Sequence, residues 1–380
     1  MGRFYSKNSK KTTVKTTQNN GSEGTMNVVF YNHSFNVPNS YGSEKIKLRV
    51  ATLFSGYGSQ ELALNYSGVD YVNVANSDIF KPANEVYDAL HTTEVGNLGD
   101  ITKIDEKSFP DCDLLTYSSP CQDLSIAGNQ KGIKEGTRSG LLFQVERIIK
   151  FKKPKYLMFE NVKNLVSKTH MASFQKHIDF LNSLGYSTYW RVLNAAEFGC
   201  AQNRERVLMM AVLGETKEQV KRRMLRVDNH KKGRVAMRPF IENEVSEKLF
   251  IDCEYEGHNP SNENSVCKMV AKRTDVKYDQ ASRIYSIDGA SPCITKSAIP
   301  QILTDENEVR FISAREAYRF MGIKDQDIDK MFATSLSEKQ HVSLAGNSIC
   351  VPVLEAIFTE FFKPVQLFGI WANRGLRRVA

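Results

Sequence analysis

A cysteine near the middle of the chain is placed where a thiolate could attack a substrate. It lies in the run Ser118 to Asp123 (SSPCQD), directly after the apolar stretch Cys112 to Tyr117. Pro120 fixes one backbone angle and stiffens this loop. Most cysteines of a reduced compartment are small buried hydrophobes. Cys121 is therefore a candidate nucleophile whose meaning depends on the motifs around it.

A turn containing two glycines follows a strand-like run upstream. Residues 47–54 have the composition of a strand, and Gly56 and Gly58 stand where a helical pattern begins. Strand, glycine turn and helix open nucleotide-type α/β domains, because the turn lets the backbone approach a ligand and the helix N-terminus favours its polar end. The spacing Phe-x-Gly-x-Gly is shorter than the dinucleotide fingerprint and lacks its third glycine, which disfavours NAD. A tight turn without a ligand is the alternative.

Two acids follow at positions where such folds bind ligands. Asp78 comes after the strand-like run 71–75, roughly twenty residues beyond the turn, where a carboxylate usually accepts from ribose hydroxyls. Asp100 follows a glycine and suits either an adenine amino group or a loop cap.

Three polar motifs occur farther along the chain. Glu160 follows a strand-like run, Arg204 and Arg206 form a Gln-x-Arg-x-Arg motif, and Asn347 stands in a Gly-Asn-Ser run near the C-terminus. Alone, Glu160 could be a surface acid and the arginines a solvated face. The order of all these motifs along the chain is more informative than any one of them.

In this order the motifs resemble the cytosine-C5 DNA methyltransferases that use S-adenosylmethionine. The resemblance extends from about residue 48 to 363, and the stretch from Asp113 to Leu142 is most similar to the CpG-type bacterial members. The matching motifs are Phe54 to Gly58, Pro120 to Gln122, Arg138 to Leu142, Glu160 to Val162, Gln202 to Arg206, Arg315 to Glu316 and Gly346 to Ser348.

The resemblance implies a covalent mechanism on a flipped base. Cytosine C5 is a poor nucleophile, so Cys121 adds to C6 and moves electron density onto C5. Glu160 is expected as the acid near N3, and Arg206 at O2. Arg204 is expected to support the nucleophile loop and the flipped base. The cytosine must leave the duplex, since its C5 and C6 are stacked between neighbours.

The resemblance also assigns the two binding sites. Ile79 stands where many family members carry an aromatic residue that packs on adenine. The cofactor residues implied are Phe54, Gly56, Gly58, Asp78, Ile79, Asp100, Ile101, Pro120, Leu142, Asn347 and Ser348. The DNA-binding residues implied are Gln122, Ser125, Arg138, Gln202 and Thr295. The loop from Gly128 to Arg138 is expected to close over the site, with an ordinary surface loop as the alternative.

The sequence predicts an α/β fold: a Rossmann-like S-adenosylmethionine-dependent methyltransferase domain with a second, smaller target-recognition domain. Residues 1–46 form a polar basic tail, expected to be disordered, that either attracts DNA or is simply solvated. Residues 47–213 form the catalytic and cofactor-binding domain, 214–309 the target-recognition domain, 310–363 helices returning to the catalytic domain, and 364–380 a basic end. The basic run 217–232 is either a phosphate anchor or a solvated helix face.

Composition narrows the function classes. The 380 residues carry a formal net charge of +8, which suits a protein that grips a phosphate backbone. The seven cysteines form no Cys-x-x-Cys pair, so no metal is expected. Without a long apolar run or signal peptide we expect a cytoplasmic monomer that binds double-stranded DNA and no membrane.

Three alternatives have distinguishing features. A tRNA-modifying relative would share the chemistry but usually differs after its Pro-Cys. A silent paralogue would lack Cys121 or Glu160, and an NAD oxidoreductase would need the third glycine. We therefore expect an active DNA (cytosine-5-)-methyltransferase in a restriction-modification or phage DNA-protection role.

Overall fold

A computed structural model of the protein describes residues 12–17, 23–28, 47–119, 139–258, 265–296 and 298–363. The N-terminal unit contributes two antiparallel strands, β1 (Thr12–Thr17) and β2 (Glu23–Val28). We expected no regular structure there, but threonine and valine favour extended backbone. The rest of the tail and the basic end 364–380 lie outside the described residues.

A six-stranded sheet forms the centre of the second unit, residues 47–380. Its strand order is β4-β3-β5-β6-β8-β7, with the first four strands parallel and β8 antiparallel to both of its neighbours. The sheet is thus mixed rather than wholly parallel, because the connection from β7 to β8 is too short for a crossover. The strands are β3 (Leu48–Leu53), β4 (Tyr71–Ser77), β5 (Leu114–Tyr117), β6 (Tyr156–Val162), β7 (Tyr186–Asn194) and β8 (Glu205–Leu213).

Helices cover both faces of this sheet. Val50 packs in one buried cluster and its neighbour Ala51 in another. Leu114 and Leu115 divide in the same way, as alternate residues of a strand must. Both faces are therefore buried, which is the layering of a doubly wound α/β fold. The helices of this region are α1 (Ser59–Ser67), α2 (Lys81–Leu90), α3 (Leu142–Lys152), α4 (Met171–Ser183) and α5 (Lys217–Arg226).

Helix α5 carries the basic run, and it packs on the main sheet. It contacts β7, β8 and the last helix of the chain. Arg226 Nε lies 2.6 Å from Glu360 Oε2, and Arg191 of β7 pairs with Asp228 at 2.9 Å. The regular helix ends at Arg226, short of the 217–232 expected. We expected the target-recognition domain to begin at residue 214, but α5, which follows that residue, packs on the main sheet.

A second, five-stranded sheet follows, with the order β13-β12-β11-β10-β9. Arg238 precedes it in the chain and forms ion pairs with Asp288 and Asp305, each at 2.6 Å. Phe311 ends a strand here, although it lies in the segment 310–363 that we expected to be helical. The elements are β9 (Tyr255–Gly257), β10 (Met269–Arg273), α6 (Asp279–Ser282), β11 (Arg283–Ser286), β12 (Gln301–Leu303) and β13 (Val309–Phe311).

Four helices end the described chain, in the segment 310–363 that was expected to return to the catalytic domain as helices. Pro352 in the first turn of the last helix ends the preceding one, since proline breaks a continuous helix. The last helix packs against α1. These helices are α7 (Ala314–Phe320), α8 (Asp325–Phe332), α9 (Glu338–Asn347) and α10 (Val351–Phe362).

Within the described ranges no single helix is long and apolar enough to cross a membrane. Helices α9 and α10 meet the length and composition requirement only as a pair, bent by 41°.

Candidate active site

The turn after β3 adopts the conformation that its glycines allow. Phe54, Gly56 and Gly58 have positive φ values of 56°, 55° and 82°. A Cβ on Gly58 would lie 2.4 Å from Nε2 of His91, so only glycine fits this contact. A Cβ on Gly56 would meet no atom within 4 Å. The turn therefore packs tightly on its inner side and leaves open space at Gly56.

Asp78 braces this turn from the end of β4. Its Oδ2 accepts a hydrogen bond from the backbone N–H of Gly56 at 2.9 Å, and its Oδ1 accepts from Phe80 N–H at 2.8 Å. Burial raises the pKa of Asp78, while these two N–H groups and that of Ile79 oppose the rise. The carboxylate thus joins the turn to the start of α2.

An apolar edge lies next to Asp78. Ile79 is 73% exposed and Phe80 is 40% exposed, both unusually open for large apolar side chains. Asp100 accepts hydrogen bonds from Thr102 N at 3.0 Å and Thr102 Oγ1 at 2.8 Å. These bonds lower the pKa of Asp100, which here acts as the loop cap, one of its two expected roles.

Two cofactor candidates have buried side chains. Ile101 and Leu142 are 4% and 1% exposed and belong to one core cluster. Their side chains pack in the core, and the cofactor contact expected of both residues stays a prediction.

The end of α9 lies close to the glycine turn. Asn347 is the last residue of α9, and Ser348 caps it. Burial raises the pKa of Tyr57 in the turn, and Ser348 and Arg204 act against that rise from nearby. Open backbone at Gly56, an adjacent carboxylate and an exposed apolar edge fit the methionine, ribose and adenine parts of S-adenosylmethionine.

The second half of the site contains an acid and an arginine on neighbouring strands. Glu160 on β6 is 7% exposed. Arg206 on β8 places its Nε 3.1 Å from Glu160 Oε1. Burial raises the pKa of Glu160, while Arg206, Arg204 and Ser118 oppose the rise. A buried carboxyl beside a guanidinium can hold or share a proton at neutral pH.

Arg204 connects two distant segments of the chain. Its Nη1 donates to the carbonyl of Ile294 at 2.9 Å, and its Nη2 donates to the carbonyl of Gly346 at 3.0 Å and that of Ser348 at 2.5 Å. Its Nη1 also lies 3.2 Å from Cys293 Sγ. We expected Arg204 to support the nucleophile loop. In the described part of the chain it clamps the segment after β11 to the end of α9, while the nucleophile loop lies outside the described residues and that role stays a prediction.

Two predicted DNA contacts are placed within this clamp. Gln202 is 0% exposed; its Oε1 accepts from Ile294 N–H at 3.1 Å and its Nε2 lies 3.1 Å from Met321 Sδ. Its side-chain amide is thus hydrogen-bonded within the protein, and the DNA contact expected of it stays a prediction. Thr295 Oγ1 accepts from Ala298 N–H at 3.0 Å and remains half-buried.

Asn161 and Cys293 are site residues to which the sequence reasoning gave no role. Asn161 Nδ2 donates to the carbonyl of Ser119 at 3.1 Å and so ties β6 to the loop that follows β5. The position of Asn161 next to Glu160 could have indicated its role from the sequence. No sequence pattern indicates a role for Cys293. The predicted residues Pro120, Cys121, Gln122, Ser125 and Arg138, with the proposed lid, lie outside the described residues.

Among the described residues no cluster of three or more potential metal ligands occurs.

Comparisons with known proteins agree with this geometry. The sequence profile of the C-5 cytosine-specific DNA methylases matches residues 48–363. The type II methyltransferase M2.ScrFI of Lactococcus lactis subsp. cremoris is 33% identical over 83% of this chain and 99% of that protein. M.HhaI of Haemophilus parahaemolyticus is 33% identical over 82% and 93%. The crystal structure of S. pombe Dnmt2 methyltransferase is similar in fold, with a TM-score of 0.63, 22% identity and coverage of 84% of this chain and 100% of that chain.

Fold and comparisons together define an S-adenosylmethionine-dependent methyltransferase with a Rossmann-like core. The chain belongs to the C-5 cytosine-specific DNA methylase family. Its activity is methyl transfer from S-adenosylmethionine to C5 of cytosine in DNA.

Proposed function

We propose that Glu160 and Arg206 hold the target cytosine while Cys121 attacks it. The observation that carries this proposal is the 3.1 Å contact between Arg206 Nε and Glu160 Oε1 at the end of β6. A flipped base placed there would meet a proton donor and a cation side by side. The family resemblance supplies the third group, Cys121.

The proposed reaction follows from the charges that must develop. Addition of the Cys121 thiolate to C6 places negative charge on the ring, and Glu160 with its raised pKa supplies or shares a proton at N3. Arg206 stabilises charge at O2. S-adenosylmethionine supplies the methyl group that C5 then takes up. Water held in the site is the proposed acceptor of the C5 proton; the C6–Sγ bond then breaks, which releases Cys121 and restores the aromatic base.

Arg204 acts on the shape of the pocket rather than on the base. Its bonds to Ile294 and Gly346 fix the segment beside Arg206 and the segment beside the cofactor turn. We propose that Arg204 fixes the position of the DNA side of the pocket relative to its cofactor side. Asp78, Gly56, Ile79 and Ser348 are proposed cofactor contacts.

The DNA word is proposed to be recognised by the small domain. Base edges are read by groups inserted into a groove. A pocket that holds one flipped base makes little contact with the neighbouring bases and cannot identify them. Arg238 pairs with Asp288 and Asp305, which follow the strands β11 and β12 of the small sheet, while α5 packs on the main sheet. We therefore propose that recognition begins at about residue 235 rather than 214.

A restriction-modification or phage DNA-protection role is the proposed biological context. Its relatives include the type II methyltransferase M2.ScrFI and the orphan methyltransferase M.SPRI of Bacillus phage SPR. Because both DNA and S-adenosylmethionine are intracellular, we propose that the enzyme acts in the cytoplasm. We also propose that it is a monomer.

The proposal is tested by removing the pair one group at a time. Glu160→Gln keeps the shape of the side chain but cannot donate an acidic proton, and Arg206→Lys keeps the charge but loses the planar fork. Each should lower kcat for transfer of labelled methyl groups to duplex DNA by about 100-fold or more. Circular dichroism and binding of S-adenosylmethionine should be unchanged.

Arg191→Lys is the matched control. Arg191 lies on the neighbouring strand β7 and pairs with Asp228, outside the proposed pocket. It should keep kcat within about twofold of the wild type. Equal loss in Arg191→Lys and Arg206→Lys, or full activity of Glu160→Gln, would remove the basis of the assignment.

A further inference from the structure

A carboxyl group lies buried behind the cofactor turn and takes no part in the chemistry above. Glu61 belongs to the first turn of α1 and is 0% exposed. Its Oε1 accepts hydrogen bonds from Thr52 Oγ1 at 2.6 Å and from Tyr87 OH at 3.0 Å. Its Oε2 is buried and has no hydrogen-bond partner among the described residues. A buried acid outside the reaction requires a different explanation.

Through Tyr87, Glu61 is connected to the inner surface of the turn. The ring of Tyr87 packs against that of His91, with centroids 4.8 Å apart. His91 Nε2 lies 3.2 Å from the carbonyl oxygen of Tyr57. A Cβ on Gly58 would come within 2.4 Å of His91 and 2.9 Å of Tyr87. The two rings therefore support the turn directly, and Glu61 holds the hydroxyl of the first of them.

Through Thr52, Glu61 is connected to the strands of the site. Thr52 stands on β3, just before the turn, and Thr116 on β5 donates to Thr52 Oγ1 at 3.0 Å. Both threonines are fully buried. Cys121 follows β5 in the sequence. One carboxyl oxygen thus connects β3, α1 and α2, and the chain of hydroxyls extends the connection to β5.

The charge of this carboxyl follows from its surroundings. An ionised carboxylate without a paired cation is far more costly to bury than a neutral acid. The described hydrogen bonds to Glu61 come from hydroxyl groups rather than from cations. Burial raises the pKa of Glu61 accordingly.

We propose that Glu61, in its uncharged form, is a positioning residue that sets the shape of the cofactor turn. It acts through Thr52 and Tyr87 on the backbone from Leu53 to Gly58 without touching the cofactor. The inference rests on the proposed assignment of this turn to S-adenosylmethionine. It adds a determinant of cofactor affinity that lies behind the binding surface.

Calorimetric binding of S-adenosylmethionine to three full-length variants tests the proposal. Glu61→Gln preserves a neutral group of the same shape and should bind within about twofold of the wild type. Glu61→Leu removes the acceptor and should bind at least about tenfold more weakly, with a raised KM for S-adenosylmethionine and an unchanged KM for DNA. Tyr71→Phe is the control, because Tyr71 OH donates to the main-chain oxygen of Glu61 at 3.1 Å. It should retain wild-type affinity despite losing one buried hydrogen bond.

Two outcomes would overturn the proposal. Folded Glu61→Leu with wild-type affinity would show that the turn does not depend on the carboxyl, and Glu61→Gln as weak as Glu61→Leu would show that the charged form is required. If Glu61→Leu does not fold, the double variant Thr52→Val/Tyr87→Phe replaces it, with the same expected loss of about tenfold. Covalent trapping of DNA by the wild type tests Cys121 separately, so failure of the proposed chemistry can be told apart from failure of this inference.

Discussion

Arg204 Nη2 donates a 3.0 Å hydrogen bond to the carbonyl of Gly346, a residue 142 positions away in the chain. Gly346 itself is in close contact with Thr295, since a Cβ there would lie 2.6 Å from the Thr295 carbonyl carbon. The end of α9 and the segment after β11 therefore meet at one buried guanidinium. This contact joins the proposed cofactor half of the site to its proposed DNA half.

Arg204→Lys should impair both halves at once. A single ammonium cannot replace the guanidinium fork, so buried carbonyls of Ile294 and Gly346 would lose donors at a cost of about 1–3 kcal/mol each in the free energy of unfolding. We expect weaker binding of both S-adenosylmethionine and DNA, measured by calorimetry and by gel shift. A loss confined to one ligand would contradict the connecting role.

Asp78→Ala should weaken cofactor binding by about 1.5–3 kcal/mol. The carboxylate braces Gly56 N–H and is the proposed ribose acceptor, so its removal affects both the turn and the ligand. Asp78→Asn is the matched variant, because its side-chain oxygen still accepts one hydrogen bond. We expect an intermediate affinity for it in calorimetry. Wild-type affinity in Asp78→Ala would mean that the acid is merely a turn residue.

Glu61→Gln should change how stability depends on pH. Burial raises the pKa of Glu61. Below the ordinary carboxyl range both folded and unfolded chains hold its proton, but above that range only the folded chain keeps it, so the free energy of unfolding falls as pH rises. Glutamine removes this slope, worth about 1.4 kcal/mol per unit of pKa shift. The melting temperature of the variant relative to the wild type should therefore rise between about pH 4 and pH 8. A constant difference would contradict the buried neutral acid.

Grafting residues 235–309 into a related enzyme should transfer the recognised DNA word. The segment includes Arg238 with its partners Asp288 and Asp305, and it leaves the pairs of Arg226 and Arg191 with the host. Methylation-sensitive sequencing of DNA from cells expressing the chimera reads the result. A chimera that keeps the host's word would place recognition elsewhere, with the loop 128–138 as the first candidate. Removing residues 1–46 should leave the word unchanged, because phosphate contacts carry no sequence information.

The sequence predicts the layout of this site better than its internal contacts. Strand, turn and acid follow one another locally, so the turn at Gly56 and the position of Asp78 could be inferred from spacing. The clamp at Arg204 could not, because its partners lie 90 and 142 residues away and no local pattern encodes that pairing. Glu61 illustrates a second limit. A glutamate in a helical pattern indicates an exposed face, and its complete burial depends on three surrounding elements.

Cys121 is proposed to attack C6 of a flipped cytosine, and covalent trapping tests this attack most directly. A duplex containing 5-fluorocytosine at the target position cannot lose fluorine after methyl transfer, so the enzyme should remain bound to it in the presence of S-adenosylmethionine. We expect an adduct stable to SDS with the wild type and none with Cys121→Ser. The control Cys112→Ser changes a cysteine just before β5 and should still form the adduct. An adduct that persists in Cys121→Ser, or a wild type that methylates normal DNA without ever forming one, would contradict the mechanism.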